Sequence, residues 1–168
     1  MEGSCFGIML FCGMRYNPWV KYALKHLPPA ILSELRDKLA FFLTGNKDAC
    51  RLPRAICEQK EIILLSEHIL PKEDVGRDQS DKKVRYFVFV VLHEIAHAVK
   101  KHRSPLIDKL SANESKAQEK EANELALSWF NDHVRNMNNL RLKPLTYEEI
   151  EKEQAKNQEA MTKAFERV

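Results

Sequence analysis

The chain has 168 residues, of which 44% are hydrophobic and 30% are charged. This size and composition are those of one globular domain, and they exclude a collagen, a solenoid or a largely disordered chain. The 27 basic and 24 acidic residues leave a formal net charge of only +3. Because so balanced a charge produces no strong positive field, we expect no nucleic-acid partner.

An apolar run at residues 5–12 is the one place where a targeting or membrane signal could lie. Glu2 stands where a signal peptide carries basic residues, and the run is far shorter than the roughly 20 apolar residues that cross a bilayer. We therefore expect a cytoplasmic protein with no membrane partner, whose N-terminal run is an ill-defined start that packs on the domain.

The four cysteines form two pairs with six residues between the members of each pair: Cys5, Cys12, Cys50 and Cys57. This spacing fits neither a zinc knuckle nor a dense disulfide framework. We expect free thiols in a reducing compartment.

The first predicted helix begins at the Pro28-Pro29 pair and ends near Gly45. Its apolar residues recur every three to four positions: Ile31, Leu32, Leu35, Leu39, Phe42 and Leu43. Two short apolar runs then follow, at 54–57 and 61–65, and they predict a β-hairpin. The polar segment 71–83 predicts an exposed loop.

The segment 84–101 predicts a central helix. Its β-branched and aromatic residues would favour a strand by propensity alone. The run is too long for a usual strand, however, and it is apolar on nearly all sides, as a buried helix is.

A second long helix is predicted from Asn113 or Ser115, as the N-cap, to about Asn136. Its apolar side carries Ala122, Leu125, Ala126, Trp129 and Phe130. Residues 136–144 form a linker, and Thr146 with Glu149 makes a capping-box pattern that opens a last helix. This polar helix, 146–168, is expected to be an appendage to a domain formed by residues 1–145.

The central helix contains His93-Glu94-Ile95-Ala96-His97, a His-Glu-x-x-His pattern. Residues four apart lie on one helix face, so both imidazoles can reach one tetrahedral zinc ion. Glu94, rotated by about 100° from His93, is placed to take a proton from a zinc-activated water that attacks a peptide carbonyl. The pattern therefore predicts one Zn²⁺ per chain and a catalytic Glu94.

A catalytic zinc of this kind needs a third protein ligand. Lys100 and Arg103 stand where a metzincin has glycine and histidine, which excludes that class. Among the carboxylates of the second helix, Glu119 is the best candidate, because small Ala122 and Ala126 share its face and allow close helix approach. Two other glutamates of that helix remain alternatives, Glu121 first and then Glu124.

His93 to His97, followed by Glu119-x-x-Ala122-Asn123-x-x-Ala126, resembles a gluzincin metallopeptidase of the ImmA/IrrE family. HtpX-type peptidases carry a similar signature in the second helix. The resemblance spans roughly residues 30–135. It implies an α+β, zincin-like fold in which a small twisted sheet packs on the central helix. It also implies His93, His97 and Glu119 as zinc ligands and Glu94 as the general base.

Other candidate residues are given structural roles. His133 is too far along the second helix to reach the metal, and His102 is expected to be a histidine at the helix end. His68 is expected at the surface and Tyr86 in the core. The residue that stabilises the oxyanion stays unassigned.

The predicted function is a zinc-dependent peptidase for a narrow protein or peptide target, which lies extended along the sheet edge. One alternative is a zincin fold that keeps zinc but acts only by binding a regulatory protein. The other is a purely helical interaction module whose polar C-terminal helix recruits a partner.

Overall fold

A computed structural model describes residues 3–44, 49–52, 60–71, 81–104, 108–137 and 143–165. In these residues the fold combines a five-stranded sheet with five α-helices, which agrees with the predicted α+β class. A purely helical module is excluded by the sheet. In chain order the elements are β1 Gly3–Cys5, β2 Ile8–Phe11, α1 Gly13–Leu24, α2 Pro29–Leu35, β3 Leu39–Thr44, β4 Ala49–Leu52, β5 Glu61–Ser66, α3 Lys82–Val99, α4 Ala112–Asn136 and α5 Tyr147–Phe165.

The strand order in the sheet is β1-β2-β3-β5-β4. The three central strands are parallel, and both outer strands run antiparallel to their neighbours. Strand β5 confirms the predicted run at 61–65. Its antiparallel partner is β4, a strand that the sequence analysis missed, and the predicted strand 54–57 lies outside the described residues.

The predicted helix from Pro29 to Gly45 is wrong in its second half. Helix α2 ends at Leu35, the chain turns at Asp37 with φ of 60°, and β3 follows. Residues Leu39 to Thr44 lie between β2 and β5 and hydrogen-bond to both strands. In this strand Leu39, Ala40 and Phe41 are buried and the next residues are half-buried. The apolar run is therefore continuous, and periodicity alone does not distinguish it from a buried helix.

The N-terminal run is a regular part of the sheet and not the ill-defined start that we expected. Strands β1 and β2 form a hairpin whose turn residues, Phe6 and Gly7, both have positive φ. Within β2, Ile8 and Leu10 are fully buried. The position of β2 in the sheet depends on pairing with β3, for example of Met9 with Ala40, which is remote in the chain. This pairing cannot be read from the run itself.

Helix α3 confirms the predicted central helix. It begins at an N-cap, Asp81, whose carboxylate accepts hydrogen bonds from the backbone N–H groups of Lys83 and Val84. Nearly every residue from Val84 to Ile95 is buried, because α1, α4 and the sheet all pack against the helix. This burial outweighs the strand propensity of the β-branched residues. Of the predicted 71–83 loop, residues 72–80 lie outside the described residues.

Helix α4 confirms the second predicted helix but begins at a different cap. Ser111 is the N-cap, and its hydroxyl and the Glu114 carboxylate form a reciprocal capping box. The predicted caps, Asn113 and Ser115, lie inside the first turn. Ser111 followed three residues later by a glutamate is the pattern that marks this start. Most of the predicted 136–144 linker, residues 138–142, lies outside the described residues.

Helix α5 begins at the predicted capping box between Thr146 and Glu149. Leu145 and Ile150 are buried against the core, so the first turns of α5 are docked. Within the described part of the chain, no helix has the length and apolar character that a membrane crossing requires. Cys12 is a free thiol, as predicted, and Cys57 lies outside the described residues.

The buried residue His26 lies just after α1 and packs against α4. The His26 ring is stacked on Phe130 and lies 4.2 Å, centroid to centroid, from the ring of His133. Its Nδ1–H donates to the carbonyl of Tyr22, and among the described residues its Nε2 has no hydrogen-bond partner. A second proton would therefore be buried without an acceptor, and burial lowers the pKa of His26 to about 4.

This pKa makes the stability of the fold depend on pH. The unfolded chain binds a proton at His26 near pH 6.5, whereas the folded chain binds it only near pH 4, so stability falls as the pH decreases between these values. In the wild type, His26 should lower the free energy of unfolding by about 2 kcal/mol between pH 8 and pH 5. We expect His26→Phe, which keeps the ring stack, to abolish this loss. Urea unfolding at the two pH values measures the free energy of unfolding.

The matched control is His68→Phe, because His68 is exposed. It should leave the pH dependence of the unfolding free energy as it is in the wild type. A His26→Phe protein that loses as much stability as the wild type between pH 8 and pH 5 contradicts the assignment.

Candidate metal centre

Three predicted ligand side chains converge where α3 and α4 pack together: His93, His97 and Glu119. The Nε2 atoms of the two histidines are 3.0 Å apart. Glu119 places Oε2 3.3 Å from Nε2 of His93 and Oε1 3.5 Å from Nε2 of His97. Two imidazole nitrogens and one carboxylate thus face a common point.

These spacings suit a zinc ion. Ligand bonds of about 2.0–2.1 Å in a tetrahedron place neighbouring donor atoms about 3.3–3.4 Å apart. The three observed distances, 3.0, 3.3 and 3.5 Å, lie around that value. Nitrogen and oxygen donors of this kind are those of a catalytic zinc site that leaves one position open.

The geometry follows from local sequence. His93 and His97 are one helical turn apart on α3, so both rings project from the same face of the helix. On α4, Ala122 and Ala126 lie on the face of Glu119 and are fully buried. Because these two buried side chains are small, α4 can approach α3 closely enough for Glu119 to meet both histidines.

The electrostatics of the three groups are coupled. The close polar contacts with His93 and then with His97 hold the pKa of Glu119 well below its usual range. Burial opposes a charge on His93, but the hydrogen bond to Glu119 and the charge of Glu94 outweigh it and raise the pKa of that histidine. At His97 burial prevails and lowers the pKa. Glu119 is therefore a carboxylate over the physiological pH range.

Glu94 is not part of the ligand set. Its side chain is buried, with 8% of the residue exposed, and it lines the same cleft as His93 and Glu119. Burial raises the pKa of Glu94 to about 7, although the charges of His93 and Arg51 oppose the rise. A carboxyl group with such a pKa can both accept and return a proton near neutral pH.

His102 lies beside the site, although the sequence analysis assigned it only to the helix end. Helix α3 stops at Val99, and Lys101 adopts a left-handed conformation with φ of 54°. This turn brings His102 back, with its Nδ1 2.9 Å from Nδ1 of His97. Its Nε2 lies 2.9 Å from Oε2 of Glu121. His102 does lie at the helix end, but its approach to His97 was not predicted, because no glycine or proline marks the stop at Val99.

Arg51 of β4 fastens this turn to the sheet. Its buried guanidinium donates one hydrogen bond to the backbone carbonyl of His102 and another, 2.7 Å long, to the carboxylate of Glu61. The hydroxyl of Ser104 donates to the carbonyl of Arg51. The edge of the sheet and the end of the ligand-bearing helix are thereby tied together.

The remaining candidates lie away from the three ligand atoms. Glu121 pairs with Lys100 and His102, and Glu124 pairs with Lys120 on the exposed side of α4. His133 lies against His26, and His68 is exposed after β5.

A cleft of about 240 Å³ opens from the ligand group along α3. The walls come from three helices. Helix α3 contributes Tyr86, Phe89, Val90, His93 and Glu94, α4 contributes Glu119 and Asn123, and α5 contributes Ile150 and Gln154. The expected core residue Tyr86 is buried and also lines this cleft. The contribution of α5 was not predicted, since its composition is almost entirely polar.

Helix α5 is held in place by a buried arginine of α3. Arg85 donates two hydrogen bonds to the carboxylate of Glu149, at 3.1 and 3.0 Å, and one of 2.6 Å to the carbonyl of Pro144. Asn131 of α4 also exchanges two hydrogen bonds with the backbone of Leu145. These contacts set where Ile150 and Gln154 stand in the cleft.

Comparison with known proteins yields no relative of this chain. No protein-family model matches the sequence, and no curated protein or solved structure is similar enough to count as a match. The resemblance to gluzincins therefore stays a prediction carried by the motif residues.

Replacing Arg85 tests how α5 is held. Arg85→Met keeps an apolar stem of similar length but removes all three hydrogen bonds, so we expect α5 to detach more often from α3. Trypsin should then cleave after Lys152 and Lys156 several-fold faster than in the wild type, as followed by mass spectrometry. Lys120→Met, which removes only an exposed pair with Glu124, is the control. Equal cleavage rates in Arg85→Met and wild type would show that Arg85 does not anchor the helix.

Proposed function

We propose that this protein is a zinc-dependent peptidase. The observation that carries the proposal is the convergence of the two Nε2 atoms and the Glu119 carboxylate at tetrahedral spacing, beside a buried Glu94 that lines the same cleft. Neither a structural zinc site nor a chance cluster requires a buried, proton-accepting carboxyl group next to an open ligand position.

His93, His97 and Glu119 would hold the ion. A bound Zn²⁺ would supply Lewis acidity, which lowers the pKa of water and polarises a carbonyl group. Glu94 accepts a proton from the attacking water and later returns it to the departing amine nitrogen of the cleaved peptide.

The cleft supports a peptide as substrate. Phe89, Val90 and Ile150 form an apolar wall, and Asn123 and Gln154 add amide groups that can hydrogen-bond to a peptide backbone. Sites for whole drug-sized ligands usually measure about 300–1,000 Å³, and this cleft, at about 240 Å³, is smaller. It suits one side chain of a longer substrate.

The sheet supplies a surface for the rest of the substrate. Strand β4 is the outermost strand next to β5 in the described sheet, and it packs against α3. An extended peptide can pair with such an edge through backbone hydrogen bonds, whatever its sequence. Selectivity then depends on the side chain that enters the cleft, which favours a narrow target.

Zinc content tests the ligand set. We expect about one Zn²⁺ per chain in the wild type and a clear loss in Glu119→Ala, because the ion would lose its third protein ligand. Elemental analysis of proteins purified side by side measures this. Glu124→Ala removes an exposed glutamate of the same helix and should keep the zinc. A wild type that stays free of zinc, even after incubation with the metal, refutes the proposed centre.

Replacement of the general base tests the chemistry. We expect Glu94→Gln to keep its zinc and to lose about 10²- to 10⁴-fold in kcat/KM, since the amide cannot accept the proton. Mass spectrometry of a mixture of unfolded proteins before and after incubation finds cleavable peptides, on which the rates are then compared. Equal rates in the two proteins would rule out this role for Glu94. A zinc-loaded wild type that cleaves nothing would favour the non-catalytic regulatory module.

A further inference from the structure

We propose that His102 and Glu121 form a hydrogen-bond relay that fixes the tautomer and the orientation of His97, and thereby presents its Nε2 to the metal. The inference rests on the proposed function only in taking His97 as a ligand. His102 and Glu121 touch the ligand and not the reacting atoms, so they are positioning residues.

The relay runs through three contacts in a row. The Nδ1 atoms of His97 and His102 are 2.9 Å apart, and Nε2 of His102 is 2.9 Å from Oε2 of Glu121. The other carboxylate oxygen of Glu121 accepts a hydrogen bond of 2.6 Å from Nζ of Lys100. The two 2.9 Å distances lie in the range of ordinary hydrogen bonds, and the 2.6 Å contact is short, as hydrogen bonds between two charged groups are.

The positions of the protons follow from what each group can donate. An ionised carboxylate only accepts, so Nε2 of His102 carries the proton that faces Glu121. In a neutral ring the other nitrogen is then an acceptor, and Nδ1 of His102 must receive a proton from Nδ1 of His97. His97 is left with an unprotonated Nε2, which is the atom that faces His93 and Glu119.

The opposite arrangement would disable the ligand. If His102 carried protons on both nitrogens, its Nδ1 would donate to His97, and a neutral His97 would keep its proton on Nε2. A metal ion on Nε2 of His97 is compatible only with the first arrangement, in which Nδ1 of His97 donates to Nδ1 of His102. The contacts of His102 and Glu121 therefore prepare His97 for metal binding.

The backbone holds the His102 ring in place. The N–H of His102 donates to the carbonyl of His97 at 3.0 Å, and its own carbonyl accepts from Arg51. The left-handed Lys101 forms the turn between them. Because the carboxylate comes from α4, the relay orients His97 with groups from the sheet, the helix end and the second ligand-bearing helix. Partners of this kind around a ligand histidine typically contribute 10- to 100-fold to metal affinity.

The experiment compares Zn²⁺ affinity, measured by competition with a chromophoric chelator, in the wild type and four variants. His102→Phe keeps the ring volume without hydrogen bonds, and we expect its affinity to fall about 10- to 100-fold. His102→Asn restores an oxygen acceptor close to the position of Nδ1 and should recover part of that loss. Glu121→Ala should bind zinc about tenfold more weakly. Glu124→Ala, the exposed control, should bind as the wild type does.

A second readout reports the shared proton directly. In the ¹⁵N-labelled, zinc-loaded wild type, NMR should detect a coupling between the Nδ1 atoms of His97 and His102 across their hydrogen bond. A purely structural role for His102 would not produce this coupling. Because Glu121 is exposed, we expect Glu121→Ala to keep the fold even if His102→Phe does not fold.

The outcomes separate the relay from the proposed function. A wild type that binds no zinc overturns both. A wild type that binds zinc without the coupling, or a Glu121→Ala protein with wild-type affinity, overturns the relay and leaves the peptidase proposal standing. Weaker binding in His102→Phe and Glu121→Ala, together with the coupling and the partial recovery in His102→Asn, establishes the relay.

Discussion

The close packing of α4 against α3 is the constraint on which the candidate site depends. Helix α3 carries two of the donor groups and α4 carries the third, so the three meet only where the two helices come very near to each other. Ala122 and Ala126, both fully buried, provide this proximity on the face that carries Glu119. Because α3 is itself enclosed by α1, α4 and the sheet, its histidines stand on a densely packed and therefore rigid support.

The parts of the site that lie within one helix could be predicted from the sequence. The spacing of His93 and His97 needs only helical periodicity, and the small residues that follow Glu119 in the sequence indicate which face of its helix lies against a neighbour. The structure brings these three residues together. The capping box of α5 was likewise readable, because both of its residues lie within four positions of each other.

The parts that depend on distant contacts could not be predicted in this way. Strand β3 was predicted as helix, because its place in the sheet depends on pairing with β2 and β5. Strand β4 was missed, because its four residues show no alternating apolar pattern. The position of His102 depends on a helix end at Val99 that no glycine or proline marks. Helix α5 was predicted only as a polar appendage, and its docking through Arg85 and Ile150 could not be read from its own sequence. In each of these the deciding partner is remote in sequence.

The contacts of Arg51 show how many elements of the fold are needed to build the candidate metal centre in another scaffold. A designer who transplanted only the two ligand-bearing helices into another scaffold would keep the donor atoms but lose the strand whose guanidinium holds the His102 turn. Arg51 in turn needs Glu61 on the neighbouring strand to balance its buried charge. The smallest transferable unit is therefore two helices together with the antiparallel strand pair β4 and β5, which is a substantial fraction of the domain.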